Sequence, residues 1–301
     1  MKRRPTFLSG IAVFFGILSL PILASIEDYY PQKTLNSPSN FGETGLMELP
    51  NAKFMEAASL RLNFSASFPN EYTSVTGTPF SWLEASYRYA EIKNKLYGPS
   101  AYSGNQSWKD KGFDLKIRLL KQNYYLPAVA VGLRDIAGNG NFSSEYIVAT
   151  KSFGNLDLTS GIGFGILGSD NSIRNPLSSI NEGFKSRSGE FGLGGDFRMS
   201  NWFSGQAAIF GGVEYNLRKY GLKFVAEYDT SNPDISAFNP IPVKSRINFG
   251  VNYSVSDSLQ LRAAFERGSN FRIGFALKGN FYKDTLPKPG PKNVISLDSE
   301  Q

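Results

Sequence analysis

The sequence predicts an all-β fold, a single antiparallel transmembrane β-barrel of about twelve strands. Three observations indicate it. Apolar and polar residues alternate with a period of two in one segment after another, as in FDLKIRL (residues 113–119), where every second residue is apolar and the others are charged. The segments are mostly about eight to eleven residues long, the length that a tilted strand needs to cross a bilayer. An export signal precedes them.

Residues 1–24 predict a secretory signal peptide, because basic residues precede the apolar stretch FLSGIAVFFGILSLPILA, which ends in small residues. Cleavage is expected after Ala24. We expect residues 25–56, which are rich in turn-forming residues, to form an N-terminal arm or plug, and residues 57–282 to form the barrel. Residues 283–301 contain prolines and no alternation, which predicts a flexible tail.

The first half of the predicted barrel begins with SLRLNFSASF, which places Leu60, Leu62 and Phe64 on one face and Arg61 and Asn63 on the other. In NLDLTSGIGFG the polar face has glycines as well as charges. The first six predicted strands are 59–68, 82–89, 113–119, 127–136, 145–151 and 155–165.

The second half continues the pattern, and RINFGVNYS, LQLRAAFERG and FRIGFALKGNF each give an uninterrupted apolar stripe. The other six predicted strands are 189–199, 205–215, 222–229, 246–254, 259–268 and 271–281. The long connections are predicted at 69–79, 93–107, 168–187 and 230–244. With this strand count they do not all fall on one side of the barrel, although outer-membrane barrels usually place their long loops on one side.

A soluble β-sandwich would also alternate, with its apolar stripes facing each other and its charges facing water. Three features favour the barrel. The strands are longer than the roughly five or six residues usual in globular sheets. Tyrosine and phenylalanine cluster near the predicted strand ends, as in the aromatic girdles of membrane barrels. Glycines recur on the polar face, where side chains converge inside a closed sheet.

The formal net charge of +6 at pH 7 includes Lys2, Arg3 and Arg4 of the signal, so cleavage leaves about +3. This value, without a dense basic block, predicts no nucleic-acid partner. The sequence contains no histidine and no cysteine, which removes the usual general base at neutral pH, most metal sites, and thiol or Ser-His chemistry. We therefore expect neither an enzyme nor a cofactor or metal site.

Five segments share a resemblance to one family: GETGLMELPNA (42–52), WLEASYRY (82–89), WKDKGFDLKIRLL (108–120), PAVAVGLRDIAGNGNFSSEYIVATKSF (127–153) and DLTSGIGFGILG (157–168). They resemble the YjbH-type exopolysaccharide proteins of Gram-negative bacteria, and a looser likeness continues to residue 281. The resemblance implies a barrel in the lipid of the outer membrane that works with periplasmic partners in making or exporting a surface exopolysaccharide. Family members typically have a second barrel-like half and some have a lipoprotein cysteine, so a second-barrel partner is also implied.

Charged residues at the polar positions of consecutive predicted strands are expected to face one interior. As a substrate path they would bind sugar hydroxyls and acidic sugar groups, with arginine favoured for bidentate contacts to carboxylates. Alternatively, the two signs pair and form a salt-bridged filling that holds a small barrel shut. The residues are Arg61, Glu84, Arg88, Asp114, Lys116, Arg118, Arg134, Glu145 and Lys151.

Three functions are compatible with the sequence. The first is a barrel component of exopolysaccharide assembly or export, whose charged interior guides the polymer. The second is a structural or passive porin-like outer-membrane barrel. The third is an outer-membrane enzyme or a soluble carbohydrate-binding sandwich, against which the absence of histidine and the length of the strands count.

Overall fold

The computed structural model describes residues 36–188, 195, 197, 199–232 and 243–283. The predicted signal peptide (1–24), the first part of the predicted arm and all but the first residue of the predicted tail lie outside these residues. Within them, twelve antiparallel strands close into one barrel in which β1 pairs with β12. The prediction of a single antiparallel all-β barrel is confirmed. The strands are β1 (Ser59–Ser67), β2 (Asn70–Phe80), β3 (Leu83–Leu96), β4 (Ser107–Leu120), β5 (Ala128–Arg134), β6 (Ser144–Phe153), β7 (Leu156–Gly165), β8 (Ala207–Leu217), β9 (Leu222–Tyr228), β10 (Ile247–Ser254), β11 (Leu259–Glu266) and β12 (Asn270–Asn280).

Helical structure among the described residues is limited to single turns in the connections. One α-helical turn, Ser100–Ser103, lies between β3 and β4. Turns of 3-10 helix are formed by Ile166–Gly168, Pro176–Ser179, Glu182–Lys185, Met199–Asn201 and Arg218–Tyr220. Nowhere in the described part of the chain is a helix both long and apolar enough to span a membrane.

The prediction of a connection at 69–79 is wrong, because β2 occupies these positions. The outward face of β2 has Glu71, Thr73 and Gly77 in place of an apolar stripe, so the alternation that identifies the other strands is missing. Pairing with β1 on one side and β3 on the other holds the strand in the sheet.

The strand predicted at 189–199 lies mostly outside the described residues, and Gly195 and Phe197, which the structure does describe, belong to no strand. Strand β7 pairs directly with β8, with Ile162 opposite Ile209. The barrel therefore closes without a strand between these two.

The connections sort by length onto the two rims of the barrel. The long-loop rim has residues 97–106 and 135–143, the described parts of the connections from β7 to β8 and from β9 to β10, and the tight turns 68–69 and 267–269. The short-turn rim has residues 81–82, 121–127, 154–155, 218–221 and 255–258, together with the residues that lead into β1 and out of β12. Treating 69–79 as a connection and 189–199 as a strand reverses the side of every connection between them, which is why the predicted connections do not sort.

The outward face of the barrel is apolar, with Leu62 40%, Phe249 57% and Ile273 66% exposed. Aromatic side chains are exposed near both rims, and at the short-turn rim Phe80 stacks on Trp82 with ring centroids 5.6 Å apart. In a sandwich these stripes would be buried between two sheets. A closed barrel with an even number of strands, an apolar outer face and aromatic rims is built to span lipid. The protein is thus an outer-membrane β-barrel.

Residues 36–56, which we call the lumen segment, run inside the barrel. Residues 37–52 are all buried. The segment turns back on itself, since the side-chain amide of Asn36 donates a hydrogen bond to the carbonyl oxygen of Phe54 (2.7 Å), and the chain then leads into β1. Both ends of the segment therefore lie at the short-turn rim.

Two glycines of the barrel wall make room for the lumen segment. A Cβ at Gly212 would lie 2.6 Å from Cδ1 of Leu46, and a Cβ at Gly250 would lie 2.2 Å from Sδ of Met47. Both separations are shorter than packed atoms allow. The wall lacks side chains at the two positions where large apolar side chains of the segment approach it.

Candidate functional site in the barrel lumen

The candidate site is the contact between the lumen segment and the inward-facing charges of the wall. Alternation along each strand decides which side chains point inward, and the register of neighbouring strands brings them together, as where Glu84 lies opposite Lys116. Of the residues predicted to line the interior, those at inward-facing positions are Arg61, Glu84, Arg88, Asp114, Lys116, Arg118 and Arg134.

Three of these residues surround Thr44 of the lumen segment. The Glu84 carboxylate accepts hydrogen bonds from the backbone amide (2.5 Å) and the hydroxyl (2.7 Å) of Thr44. The Lys116 ammonium group donates to the Thr44 carbonyl (2.8 Å) and lies 3.1 Å from Glu84. Arg61 donates to the carbonyl of Gly42 (2.6 Å). A buried charge requires such partners, and here the segment supplies many of them.

Arg88 lies among three aspartates of the wall and its loops. Its nitrogens are 3.5 Å from Asp135, 3.7 Å from Asp114 and 3.8 Å from Asp110. The guanidinium also lies over the ring of Phe142, with Cζ 4.4 Å from the ring centroid. One arginine thus faces three buried carboxylates, none of which belongs to the lumen segment, whose contact with this guanidinium is the ring of Phe41 (5.3 Å to the centroid).

Arg134 and Arg118 contact the lumen segment in different ways. Arg134 donates from Nε to the Glu43 carboxylate (2.9 Å) and from Nη2 to the Glu48 carbonyl (2.9 Å). Arg118 is half-buried, and its guanidinium lies 4.4 Å from the ring centroid of Phe54. Arg134 therefore pairs with a charge of the segment, whereas Arg118 packs on one of its rings.

Glu227 binds the main chain of the lumen segment, although it is not among the predicted lining residues. Its carboxylate accepts hydrogen bonds from the backbone amides of Met47 (3.0 Å), Glu48 (2.9 Å) and Leu49 (3.3 Å). Glu227 occupies a polar position of the predicted strand 222–229, so alternation was the signal that could have placed it inward.

Further contacts between the wall and the segment are also absent from the predicted set. The wall residues among them are at alternating positions, but Glu48 and Lys53 lie in a segment without a strand pattern, where the sequence has no signal for their placement. The pairs are Lys53 with Asp157, Arg272 with Glu48 (3.5 Å), Arg262 with Asn40 (3.0 Å) and Asn51 with Glu214 (3.1 Å).

Glu145 and Lys151 do not face the lumen, contrary to the prediction. In β6 the inward positions belong to Ser144, Tyr146, Val148, Thr150 and Ser152. Of these, Tyr146 and Val148 pack in a buried cluster with Leu46 of the lumen segment. The expectation that charged residues point inward fails at Glu145 because Tyr146 beside it faces an apolar part of the segment, and at Lys151 because the polar residues Thr150 and Ser152 take the inward positions.

The side chains of Glu145 and Lys151 bind connections outside the lumen. Arg187, in the connection 166–206, donates two hydrogen bonds to the Glu145 carboxylate (2.7 and 2.9 Å). Lys151 donates to the carbonyls of Asn123 (2.7 Å) and Tyr124 (2.8 Å) at the short-turn rim. Neither residue can contribute to a path through the barrel.

The lumen segment and the inward-facing side chains share the described lumen. A cavity of about 10 Å³ beside Arg262 and Arg272 has room for roughly one water molecule. At the long-loop rim, burial raises the pKa of Asp229, an effect that the Arg267 guanidinium, 3.7 Å away, offsets in part. With the segment in place, charged and packed side chains occupy the described interior.

The family model "Exopolysaccharide biosynthesis protein YbjH" (YjbH) matches residues 37–298, which include the barrel and nearly all of the lumen segment. An uncharacterized lipoprotein YjbH of Escherichia coli (strain K12) is 38% identical over 291 residues, which are 93% of this chain and 42% of that protein. The chain thus spans less than half the length of this curated relative. Among solved structures, a KdgM porin matches 73% of this chain and 98% of its own (TM-score 0.39, 7% identity), and a NanC porin 73% and 99% (TM-score 0.37, 9% identity).

Proposed function

The chain belongs to the YjbH family of exopolysaccharide biosynthesis proteins, and from this membership we propose that it is an outer-membrane β-barrel component of exopolysaccharide assembly or export. The main support is that the family match includes the barrel and the segment that fills it. We propose a role without catalysis, in keeping with a chain that has neither histidine nor cysteine.

In this proposal the lumen segment and the polymer occupy the same space at different times. The segment has to leave at least part of the lumen before a chain of sugars can pass. The path would then be lined by Arg61, Glu84, Arg88, Asp114, Lys116, Arg118 and Arg134, whose hydrogen-bonding groups suit sugar hydroxyls and charged sugar substituents.

A partner protein is part of the proposal. As the likeness to exopolysaccharide biosynthesis proteins implies, we propose that the barrel works with a second barrel or a periplasmic protein. Since the long connections of outer-membrane barrels face the exterior, we propose that the short-turn rim faces the periplasm. A periplasmic partner would then meet the lumen segment where both of its ends leave the barrel.

A structural barrel that stays closed is the second candidate. The contacts of Arg88 favour it, because this charge is balanced by Asp110, Asp114 and Asp135 and does not depend on any movement of the lumen segment. In such a barrel the inward charges would stabilise the closed state only.

A disulfide between the segment and the wall tests the proposed function. The sequence has no cysteine, so Met47→Cys and Gly250→Cys would be the only two thiols. Cγ of Met47 lies 3.3 Å from a Cβ built at Gly250, which brings a sulfur at the Cγ position within reach of a disulfide. The bond should form in the oxidising periplasm and keep the segment in the lumen.

The readout is surface exopolysaccharide in cells that lack the gene and receive each variant. We expect a loss of exopolysaccharide in cells with the locked barrel, recovery with a membrane-permeant reductant, and wild-type amounts with Met47→Cys alone. Full production with the disulfide intact would favour the closed structural barrel. Unchanged exopolysaccharide in the deletion strain itself would contradict any role in its assembly or export.

A further inference from the structure

The inward-facing charges of the wall fall into two groups, according to whether their partners belong to the wall or to the lumen segment. The first group keeps its ion pairs when the segment is absent. Besides Arg88 with its aspartates, it consists of Lys116 with Glu84 (3.1 Å), Lys223 with Glu214 (2.6 Å) and Arg272 with Glu266 (2.7 Å).

The second group consists of three buried arginines, Arg61, Arg134 and Arg262, which bind the lumen segment. Arg262 also donates to the side-chain oxygen of Asn63 in β1 (3.0 Å), a neutral partner. Among the described residues, no wall carboxylate lies within ion-pair distance of any of the three. Their contacts with the segment are Arg61 to the Gly42 carbonyl (2.6 Å), Arg134 to the Glu43 carboxylate (2.9 Å) and Arg262 to the side-chain oxygen of Asn40 (3.0 Å).

Even with the segment in place, these arginines have unused donors. Nε and Nη1 of Arg61 and Nε of Arg262 are buried without a hydrogen-bond partner. Two wall carboxylates also depend on the segment, Glu227 through backbone amides and Asp157 through Lys53. Removal of the segment would thus expose more unpaired positive than negative charge, and the positive charges would be guanidinium groups.

We propose that the polymer in the lumen is acidic and that its carboxylates bind Arg61, Arg134 and Arg262 in place of the lumen segment. A guanidinium can bind a carboxylate through two parallel hydrogen bonds. In the structure, Nε and Nη2 of Arg134 both donate to one oxygen of the Glu43 carboxylate, so a carboxylate already occupies this guanidinium. Glu43 of the segment then competes with the polymer for Arg134, because both bind it through a carboxylate. This inference rests on the proposed function and adds the substrate class and three specificity-determining residues.

The test measures how readily the segment leaves the lumen. The full chain with Met47→Cys, which has a single thiol, is purified in detergent and its labelling by a water-soluble maleimide is timed. The probe is oligogalacturonate, an acidic oligosaccharide, and the matched control is the same oligosaccharide with its carboxylates methyl-esterified. We expect about tenfold faster labelling with the acidic probe, because a ligand that competes with the segment favours its release, and no change with the ester.

Arginine variants in the Met47→Cys protein show which side chains cause the faster labelling with the acidic probe. Arg61→Gln, Arg134→Gln and Arg262→Gln together should abolish the acceleration. Arg174→Gln, which changes an exposed arginine in the connection between β7 and β8, should leave it intact. If the triple variant fails to fold, Arg134→Gln alone replaces it and should weaken the effect.

The inference is overturned if the acidic and the esterified probe speed the labelling of Met47→Cys equally, or if neither does. This comparison needs none of the arginine variants. The proposed function has a separate readout, since exopolysaccharide in the deletion strain does not depend on the probe. Suppose that the deletion strain loses exopolysaccharide but the acidic probe does not speed the labelling. The acidic substrate class would then be rejected, and the proposed function would stand.

Discussion

The carboxylate of Glu227 accepts a hydrogen bond from the backbone amide of Met47 at 3.0 Å, so a strand of the barrel wall binds the main chain of the segment that fills the barrel. The same carboxylate accepts from the amides of Glu48 and Leu49 and from the side chain of Asn248 (2.9 Å). Each oxygen thus accepts two hydrogen bonds. Glu227 therefore acts as an anchor for the segment, since it binds backbone amides, which every residue type except proline provides.

Glu227→Gln should loosen the lumen segment. An amide in place of the carboxylate keeps one acceptor oxygen and turns an NH₂ group toward buried backbone amides, which should lower the free energy of unfolding by about 1–3 kcal/mol. The measurement is the midpoint temperature at which the folded, fast-migrating form disappears on gels. Glu71→Gln is the control, because its partner Lys93 lies on the outer surface, and its midpoint should not change. Equal midpoints for both variants would mean that Glu227 is not an anchor.

Neighbouring residues of β4 should differ sharply in their tolerance of charge. Leu115→Arg or Ile117→Arg places a cation toward lipid and should block assembly, since charge there costs about 2–4 kcal/mol near the midplane. Lys116→Gln should assemble, because residue 116 points inward, but with a lower midpoint, because Glu84 loses its cation. Membrane fractions analysed by heat-modifiable gel mobility distinguish these results. Equal tolerance of all three substitutions would contradict the assigned facing.

The sequence predicts strands wherever one face is apolar, and eleven of the twelve strands have that signal. Strand β2 does not, because Glu71 and Thr73 take the outward positions near the long-loop rim. Strand β2 is held in the sheet by pairing with β1 on one edge and β3 on the other. This pairing depends on the neighbouring strands, so the residues of β2 alone do not predict it.

The site was predictable only in part. Alternation places Arg61, Glu84 and Lys116 inward, but it cannot show that their partners are backbone groups of a segment without a strand pattern. It also misplaces Glu145, because Tyr146 faces inward to pack on the apolar part of that segment. Which wall side chains point inward therefore depends on the residues of the lumen segment that they pack against.

Arg88→Gln should be more damaging than any other single arginine substitution in the first half of the barrel. It leaves three buried carboxylates without their cation, which should lower the free energy of unfolding by about 3–5 kcal/mol. The control is Arg118→Gln, since Arg118 is half-buried and its contact is with a ring. Adding Asp135→Asn to Arg88→Gln should recover part of the loss in the midpoint temperature. No recovery would mean that repulsion among the aspartates is not the cause.

The packing of Met47 against Gly250 can be tested with a cycle of four proteins. Gly250→Ala places a methyl group 2.2 Å from Sδ of Met47 and 3.1 Å from the carbonyl of Ala263, so it should lower the free energy of unfolding by about 1–3 kcal/mol. Met47→Ala removes packing inside the lumen and should lower it by about 2–5 kcal/mol. In the double variant the new methyl group occupies space that the methionine has left, so the loss should be smaller than the sum by about 1 kcal/mol or more. The control is Gly77→Ala, where the nearest atom to a new Cβ is 3.9 Å away, and it should show no coupling to Met47→Ala. Additive losses for Gly250 and Met47 would mean that the segment does not press on the wall at this glycine.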